Sequence, residues 1–169
     1  MKIILARHGE TNWNTTGQLI GQQDIVLNEH GKAQARTLRE KLADVQFDVC
    51  YSSPLLRAKE TAEIVCAGRC QVICDDRLME RFGGIMEGKV VNNWNDFDSD
   101  TTVETGDSLI VRATHFIEDL KKTDYEAVLI VSHNGLIKNL RHVILREAGE
   151  VDYRVGGLPN CGFEIYELV

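Results

Sequence analysis

Residues 1–14, MKIILARHGETNWN, give the clearest indication of the fold. Lys2 to Ala6 is an almost uninterrupted apolar run, which is typical of a strand buried on both faces of a parallel sheet. The run ends at Arg7 and His8, and Gly9 follows them. Because ligands bind at the carboxyl ends of the strands in an open α/β sheet, these side chains are candidates for a ligand site.

The same arrangement recurs in the second half of the chain. Ala127 to Val131 is the most apolar segment of the sequence, and the residues Ser132-His133-Asn134-Gly135 follow it directly. A histidine therefore stands at the end of both strongly predicted strands, and each is followed by a small or polar turn.

A third predicted strand, residues 48–52, ends at Ser53-Pro54, with Arg57 one helical turn further along. The carboxyl ends of parallel strands meet at one edge of a sheet, so side chains at these ends are expected to lie together. The basic residues expected to converge are Arg7, His8, Arg57 and His133.

Helical periodicity separates the predicted strands. Apolar residues three and four positions apart predict helices at Glu29–Val45, Leu55–Ala67, Ser108–Lys121 and Gly135–Glu147. Shorter strands are predicted at Gln71–Cys74 and Cys161–Leu168, and Arg81–Thr105 is interpreted as loop with one short helix. Strands that alternate with helices predict an α/β sheet covered on both faces.

Length and composition limit the classes of protein that remain. A chain of 169 residues is expected to form a single domain, residues 1–169. The net charge of −7 argues against nucleic acid or an anionic membrane as a partner. No apolar run reaches the ~20 residues of a transmembrane helix, and the first run is too short for a signal peptide. We therefore expect a cytoplasmic protein, and nothing in the sequence indicates its oligomeric state.

The five cysteines are odd in number and come without a secretory signal, so free thiols are expected. Cys66, Cys70 and Cys74 lie four residues apart, a spacing that would align them on one helix. Gly68 predicts that the helix stops between them, and the Cys-x-x-Cys spacing of structural zinc sites is absent. No other metal-binding motif occurs, so no metal or other cofactor is expected.

The predicted cluster of basic residues suits phosphoryl chemistry. A guanidinium binds phosphate oxygens through paired N–H groups, and helix N-termini add backbone donors. A neutral imidazole at His8 can attack phosphorus, while His133 would donate to the phosphoryl oxygens. Glu80, at the start of the loop after the third strand, is the candidate that protonates the leaving group. Taken singly, each of these residues is more often structural or solvated, so their predicted convergence carries the interpretation.

At these residues the sequence resembles the histidine phosphatase superfamily, which includes the cofactor-dependent phosphoglycerate mutases. Residues 7–14 (RHGETNWN) are similar to its RHGE-T/S-x-W-N signature, and residues 132–135 (SHNG) to its second histidine motif. Three further blocks follow the family's order: residues 21–35 (GQQDIVLNEHGKAQA), 52–62 (SSPLLRAKETA) and 80–88 (ERFGGIMEG). The resemblance covers nearly the whole chain.

The resemblance implies a three-layer α/β/α sandwich with a mostly parallel sheet, like that of phosphoglycerate mutase. It also implies a set of catalytic residues, with His8 as the phosphorylated nucleophile and Glu80 as proton donor and later base. The phosphate ligands implied are Arg7, Arg57 and His133, and the further pocket residues are Asn14, Gly21, Gln22 and Asn134. Asp107 stands where many members have glutamate.

The segment between Gly88 and Gly106, here called the cap segment (residues 89–105), separates two possible reactions. A mutase must keep its phosphorylated intermediate away from water, which takes a closed lid. The cap segment has 17 residues, and family mutases are longer. We therefore expect a metal-independent phosphomonoesterase, with mutase activity and protein phosphohistidine phosphatase activity as alternatives.

The expected substrate is a small phosphorylated metabolite such as a sugar phosphate, phosphoglycerate or α-ribazole phosphate. The expectation rests on the short cap segment and on its acidic side chains, which would repel a second phosphate group. Those side chains are Asp96, Asp98, Asp100 and Glu104.

Overall fold

The computed structural model describes residues 1–152 and 156–169. Within these ranges, five strands form one sheet in the order β3-β2-β4-β1-β5. The strands are β1 (Lys2–Arg7), β2 (Val49–Ser52), β3 (Gln71–Cys74), β4 (Ala127–Ser132) and β5 (Phe163–Glu167). The first four pair in parallel and β5 pairs antiparallel with β1, so the sheet is mostly parallel, as expected.

Helices cover both faces of the sheet. They are α1 (Asn12–Thr16), α2 (Glu29–Lys41), α3 (Leu56–Cys66), α4 (Trp94–Ser99), α5 (Gly106–Leu120) and α6 (Asn134–Glu147), with 3-10 turns at Asp76–Leu78 and Gly84–Met86. Successive side chains of β1 point to opposite faces: Ile3 and Leu5 pack with α5 and α6, and Ile4 and Ala6 pack with α2 and α3. This confirms the three-layer α/β/α arrangement.

Two predicted elements are shorter in the structure. Helix α2 ends at Lys41 because hydrogen bonds to the residue three positions earlier take over, such as that from the N–H of Val45 to the carbonyl of Leu42. The last strand begins at Phe163 because Cys161 adopts a left-handed conformation, with φ of 53°. The N–H of Cys161 reaches back to the end of β1 instead of continuing the ladder.

Residues 81–105 contain one short helix, α4, as predicted, together with the 3-10 turn Gly84–Met86, and Val90 forms an isolated bridge with Gln18. No helix within the described ranges has both the length and the apolar character needed to cross a membrane.

Candidate active site

The two strand-end histidines lie next to each other. Strands β1 and β4 pair in parallel with Arg7 opposite Ser132, and the N–H of His8 continues the ladder to the carbonyl of Ser132 at 3.0 Å. The ring centroids of His8 and His133 are 5.0 Å apart, and both side chains are buried. The convergence predicted from the two apolar runs is therefore observed.

His8 is held in one tautomer by its own backbone. Its Nδ1 lies 2.7 Å from the carbonyl oxygen of Gly9, and a carbonyl can only accept, so Nδ1 carries the proton. Burial, followed by the charges of Arg57 and Arg7, holds the pKa of His8 well below its ordinary value of 6.5. The ring is therefore neutral near pH 7, and its Nε2 has a free lone pair.

His133 presents the opposite nitrogen. Its Nε2 lies 2.8 Å from the hydroxyl of Ser53, which also accepts the N–H of Leu55. Burial and the charge of Arg57 hold the pKa of His133 well below 6.5, so its ring is also neutral. We assign the ring proton to Nδ1, with the Ser53 hydroxyl donating to Nε2.

Neutral main-chain groups fix both arginines of the site. A terminal nitrogen of Arg7 donates to the carbonyl of Leu158 at 2.8 Å. Both terminal nitrogens of Arg57 donate to carbonyls, of Gln23 at 2.8 Å and of Gly21 at 2.7 Å. Burial lowers the pKa of Arg57 to about 10 despite nearby acidic groups, yet the guanidinium stays charged at neutral pH. Main-chain carbonyls thus hold both guanidinium groups in place through their terminal nitrogens.

Three buried donors at this place have no hydrogen-bond partner within the described ranges: Nε of Arg7, Nε of Arg57 and Nδ1 of His133. Buried polar groups are normally paired, so such a concentration of unpaired donors indicates a ligand. All three offer a hydrogen, and two carry positive charge. A phosphoryl group, with three oxygens and negative charge, matches this set.

Glu80 lies on the opposite wall at the N-terminus of α6. Its carboxylate accepts the N–H groups of Arg81 at 2.8 Å, Gly135 at 3.1 Å and Leu136 at 3.2 Å. These bonds fix the carboxylate beside the cavity and satisfy two free donors of the helix end. Glu80 therefore has a structural role as a helix cap in addition to any chemical role.

The other predicted pocket residues separate into two groups. Asn14, Gly21 and Asn134 line the cavity, and the side-chain oxygen of Asn14 accepts from Thr11, which leaves its amide N–H groups for a ligand. Gln22 does not line the cavity, because its amide donates to the carbonyl of Glu80 at 2.9 Å. Gln22 therefore stabilises the main chain at Glu80 and does not face the cavity.

Glu87 stabilises a loop of the candidate site, a role that was not predicted from the sequence. One carboxylate oxygen accepts the N–H of Gln22 at 2.8 Å and of Gly83 at 2.9 Å, and the other accepts the side chain of Gln23 at 2.8 Å. A Cβ added to Gly21 would lie 2.1 Å from this carboxylate. Glu87 thus holds the loop whose carbonyls bind Arg57. Its position in the block of residues 80–88 could have indicated this role from the sequence.

Arg112 was also missed. It donates to the carbonyls of Met79 at 2.6 Å and Glu80 at 3.1 Å, and it pairs with Glu104 at 2.8 Å. Arg112 thereby fixes the segment that carries Glu80. The sequence did not indicate this role, because Arg112 is a lone arginine on an amphipathic helix. Asp107 lies exposed in the first turn of α5, outside the cavity lining.

The cavity in front of these residues has a volume of about 530 Å³, which is much more than one phosphate needs. Its outer part is lined by aromatic, apolar and charged side chains: Trp13, Leu19, Ile20, Arg81, Val91, Trp94, Phe97, Asp98 and Lys138. In the described part of the chain, no group of three or more His, Cys, Asp or Glu residues is placed to hold a metal ion.

The four acidic residues of the cap segment differ in their position and in their partners. Asp98 is the one that lines the cavity, and it pairs with Arg81 at 2.7 Å. Glu104 is held by Arg112, and Asp100 accepts hydrogen bonds from Thr102. Asp98 and Glu104 are thus paired with arginines that lie 17 and 8 residues away in the sequence, and this pairing was not predicted. Thr102 leaves the charge of Asp100 in place, so repulsion of a second anionic group by the cap segment stays a prediction.

The sequence matches the Histidine phosphatase superfamily (branch 1) over residues 3–168, so the chain belongs to this family. It is 34% identical over 158 residues to phosphoglycerate mutase-like protein 4 of Arabidopsis thaliana, covering 82% of this chain and 69% of that protein. It is 35% identical over 149 residues to phosphoserine phosphatase 1 of Hydrogenobacter thermophilus, covering 79% and 71%. The solved structure of Bacillus stearothermophilus YhfR superposes with a TM-score of 0.86 at 28% identity, covering 98% of this chain and 90% of that one.

These similarities confirm the resemblance stated from the sequence motifs. The fold is that of the phosphoglycerate mutase-like histidine phosphatases, and the chain is a phosphoric monoester hydrolase.

Proposed function

We propose that this chain hydrolyses small phosphorylated metabolites without a metal ion, through a phosphohistidine formed on Nε2 of His8. One observation carries the proposal: the 2.7 Å bond from Nδ1 of His8 to the carbonyl of Gly9 leaves Nε2 unprotonated beside three unpaired donors. A neutral, fixed imidazole is a competent nucleophile for phosphoryl transfer.

In the first step, the phosphoryl oxygens bind to Nε of Arg7, Nε of Arg57 and Nδ1–H of His133. Nε2 of His8 then attacks phosphorus while the bond from phosphorus to the leaving oxygen breaks. Glu80, in its protonated form, gives its proton to that oxygen, so an alcohol leaves. The fixed donors stabilise the charge of the transition state without having to reorganise.

In the second step, a water molecule attacks the phosphohistidine. Glu80, now a carboxylate, accepts a proton from this water, and the bond from phosphorus to Nε2 breaks. Inorganic phosphate leaves, and His8 returns to its neutral form with Nδ1 still bonded to Gly9. The main-chain donors to Glu80 hold the carboxylate in place for both proton transfers.

The substrate class follows from the cavity and from the relatives. The outer cavity has room for an organic group beyond the phosphate, and it offers both aromatic surface and charged side chains. One relative is named a phosphoserine phosphatase, which supports a small phosphorylated metabolite as the substrate here. Hydrolysis is favoured over mutase activity because the cap segment is short and Trp94 on it is exposed, so water can enter.

A panel assay tests the proposal. The chain is incubated with phosphoserine, 3-phosphoglycerate, sugar phosphates and a phosphohistidine-bearing carrier protein, each with and without a chelator, and released phosphate is measured. We expect phosphate from at least one metabolite, at a rate that the chelator does not change. Loss of activity with the chelator, activity on the carrier protein alone, or transfer of phosphate within 3-phosphoglycerate without release would each contradict the proposal.

A further inference from the structure

A cluster of thiols lies at the end of α3, outside the cavity lining described above. Cys66 is the last residue of α3, and the chain then reverses through Ala67 and Gly68, whose φ angles are 46° and 80°. This turn brings Cys70 back to Cys66, so that their sulfur atoms are 3.4 Å apart. Cys50, on the neighbouring strand β2, completes the cluster in the core between the sheet and the helices α2 and α3.

The geometry of Cys66 and Cys70 suits a disulfide. An S–S bond is about 2.05 Å long, so the two sulfurs are separated by about 1.4 Å more than a bond. The connecting turn is short, exposed and contains Gly68, so it can adjust while the sheet and α3 stay fixed. Cys50 is fully buried on an internal strand, so bonding it to Cys66 would require two packed core elements to move.

We propose that Cys66 and Cys70 form an oxidation site, in which hydrogen peroxide converts the two thiols into one intrachain disulfide. The Cys66 thiolate attacks one oxygen of the peroxide, the O–O bond breaks, and hydroxide leaves, which gives a sulfenic acid on Cys66. The sulfur of Cys70 then attacks that of Cys66, the S–O bond breaks, and the Cys70 proton leaves with the oxygen as water. Each cysteine loses one electron, and the peroxide is reduced to two waters.

The environment of the two sulfurs supports these roles. Hydrogen bonds from Cys50 and Cys70, together with the charge of Arg69, hold the pKa of the Cys66 thiol below its ordinary value. Burial raises the pKa of Cys70. Cys66 therefore ionises first and attacks, and Cys70 resolves. Cys70 is partly exposed, which opens a path for a small peroxide.

Cys74 supplies a matched control. It lies at the far end of β3, four residues from Cys70, and it is exposed to solvent. Extended chain of that length spans about 13 Å, so Cys74 cannot reach Cys66 without unfolding the strand. Its thiol is more accessible than those of Cys66 and Cys70, so it controls for oxidation that depends on exposure alone.

The test is peptide mapping of the full chain after mild treatment with hydrogen peroxide and alkylation of the remaining thiols. Trypsin cuts after Arg69, so a bond between Cys66 and Cys70 links residues 60–69 to residues 70–77. The second peptide also contains Cys74, so the experiment is repeated with Cys74→Ser. We expect the linked pair, lighter by two hydrogens and separated by a reducing agent, in both proteins. It should be lost in Cys70→Ser and in Cys66→Ser.

Several results would overturn the proposal. One is a link from residues 60–69 to residues 42–57, because that peptide contains Cys50. Another is a link that Cys74→Ser abolishes. A disulfide between two chains, or oxidised cysteines without any disulfide, would also contradict it. Hydrolysis of p-nitrophenyl phosphate is measured alongside and is expected to be unchanged in Cys74→Ser, Cys66→Ser and Cys70→Ser. Unchanged hydrolysis shows that each variant is folded. Because the disulfide and the hydrolysis are measured separately, failure of one proposal is distinguished from failure of the other.

Discussion

The strand-end site and the cap segment face each other across one cavity, and they are built differently. His8, Arg57 and His133 are buried and fixed by hydrogen bonds to the backbone or to a serine. In the cap segment, Trp94 is largely exposed, and Asp98 is held by a single partly exposed ion pair. Exposed ion pairs contribute little to stability, whereas buried hydrogen-bonded charges are costly to disturb.

Under the proposed function, this difference places the chemistry at the strand ends and the selectivity at the cap segment. Reaction at phosphorus needs donors held in place before the substrate arrives, and the strand ends supply them. Recognition of the rest of the substrate tolerates a looser surface, which the cap segment supplies. Substitutions should therefore affect turnover strongly in the strand-end site and weakly in the cap segment.

His8→Ala should have the largest effect, a loss of at least about 10⁴-fold in kcat, because the nucleophile is removed. The control is His115→Ala, on the exposed side of α5, which should leave kcat unchanged. Turnover of p-nitrophenyl phosphate by both variants measures the difference. Residual activity of His8→Ala within tenfold of the wild type would remove His8 from the nucleophile role.

Arg57→Ala should lower kcat/KM by about 10²–10³-fold, since it removes one charged donor to the phosphoryl group. It also leaves the carbonyls of Gly21 and Gln23 without their buried donor, so the free energy of unfolding should fall by about 1–3 kcal/mol for each carbonyl. Steady-state kinetics and urea unfolding measure the two losses. An Arg57→Ala variant with wild-type kcat/KM would show that the guanidinium does not hold phosphate.

Glu80→Gln should slow hydrolysis of alkyl phosphates by about 10²-fold or more and of aryl phosphates much less, because a good leaving group needs no proton. The amide oxygen keeps one acceptor for the N-terminus of α6, so the fold is retained. The ratio of rates on p-nitrophenyl phosphate and phosphoserine reports the effect. Equal losses on the two substrates would leave Glu80 with its helix-capping role alone.

Acid should destabilise the wild type more steeply than His8→Ala. The pKa of His8 is depressed in the folded state, so below pH 6.5 the unfolded chain binds more protons, and stability falls as pH falls. One such group changes the free energy of unfolding by up to about 1.4 kcal/mol per pH unit. Urea unfolding between pH 7.5 and 5 should show this extra slope in the wild type, and equal slopes would contradict it.

Trp94→Ala should have the smallest effect. Its side chain is 58% exposed on α4, so the free energy of unfolding should change by less than about 1 kcal/mol. The kcat for p-nitrophenyl phosphate should stay the same, while the relative kcat/KM values of different metabolites change. A large drop in kcat would mean that the cap segment takes part in the chemistry. It would contradict the division of roles between the strand-end site and the cap segment.

The same contrast explains what the sequence could predict. The apolar runs before His8 and His133 indicated buried parallel strands, and parallel strands bring their carboxyl ends together. The anchoring of Arg57 by two distant carbonyls and the pairing of Asp98 with Arg81 depend on side-chain placement across segments far apart in the chain. No local pattern encodes such contacts, so the pairing of Asp98 was not predicted and the role of Glu87 was overlooked.

Trapping the phosphoenzyme tests directly whether His8 is phosphorylated. The chain is mixed with p-nitrophenyl phosphate, quenched at high pH where phosphohistidine survives, and digested for mass spectrometry. We predict one phosphate on His8, bonded to Nε2, because Nδ1 is engaged by the carbonyl of Gly9. Phosphate on Nδ1, phosphate on another residue, or turnover without any phosphohistidine would contradict the account.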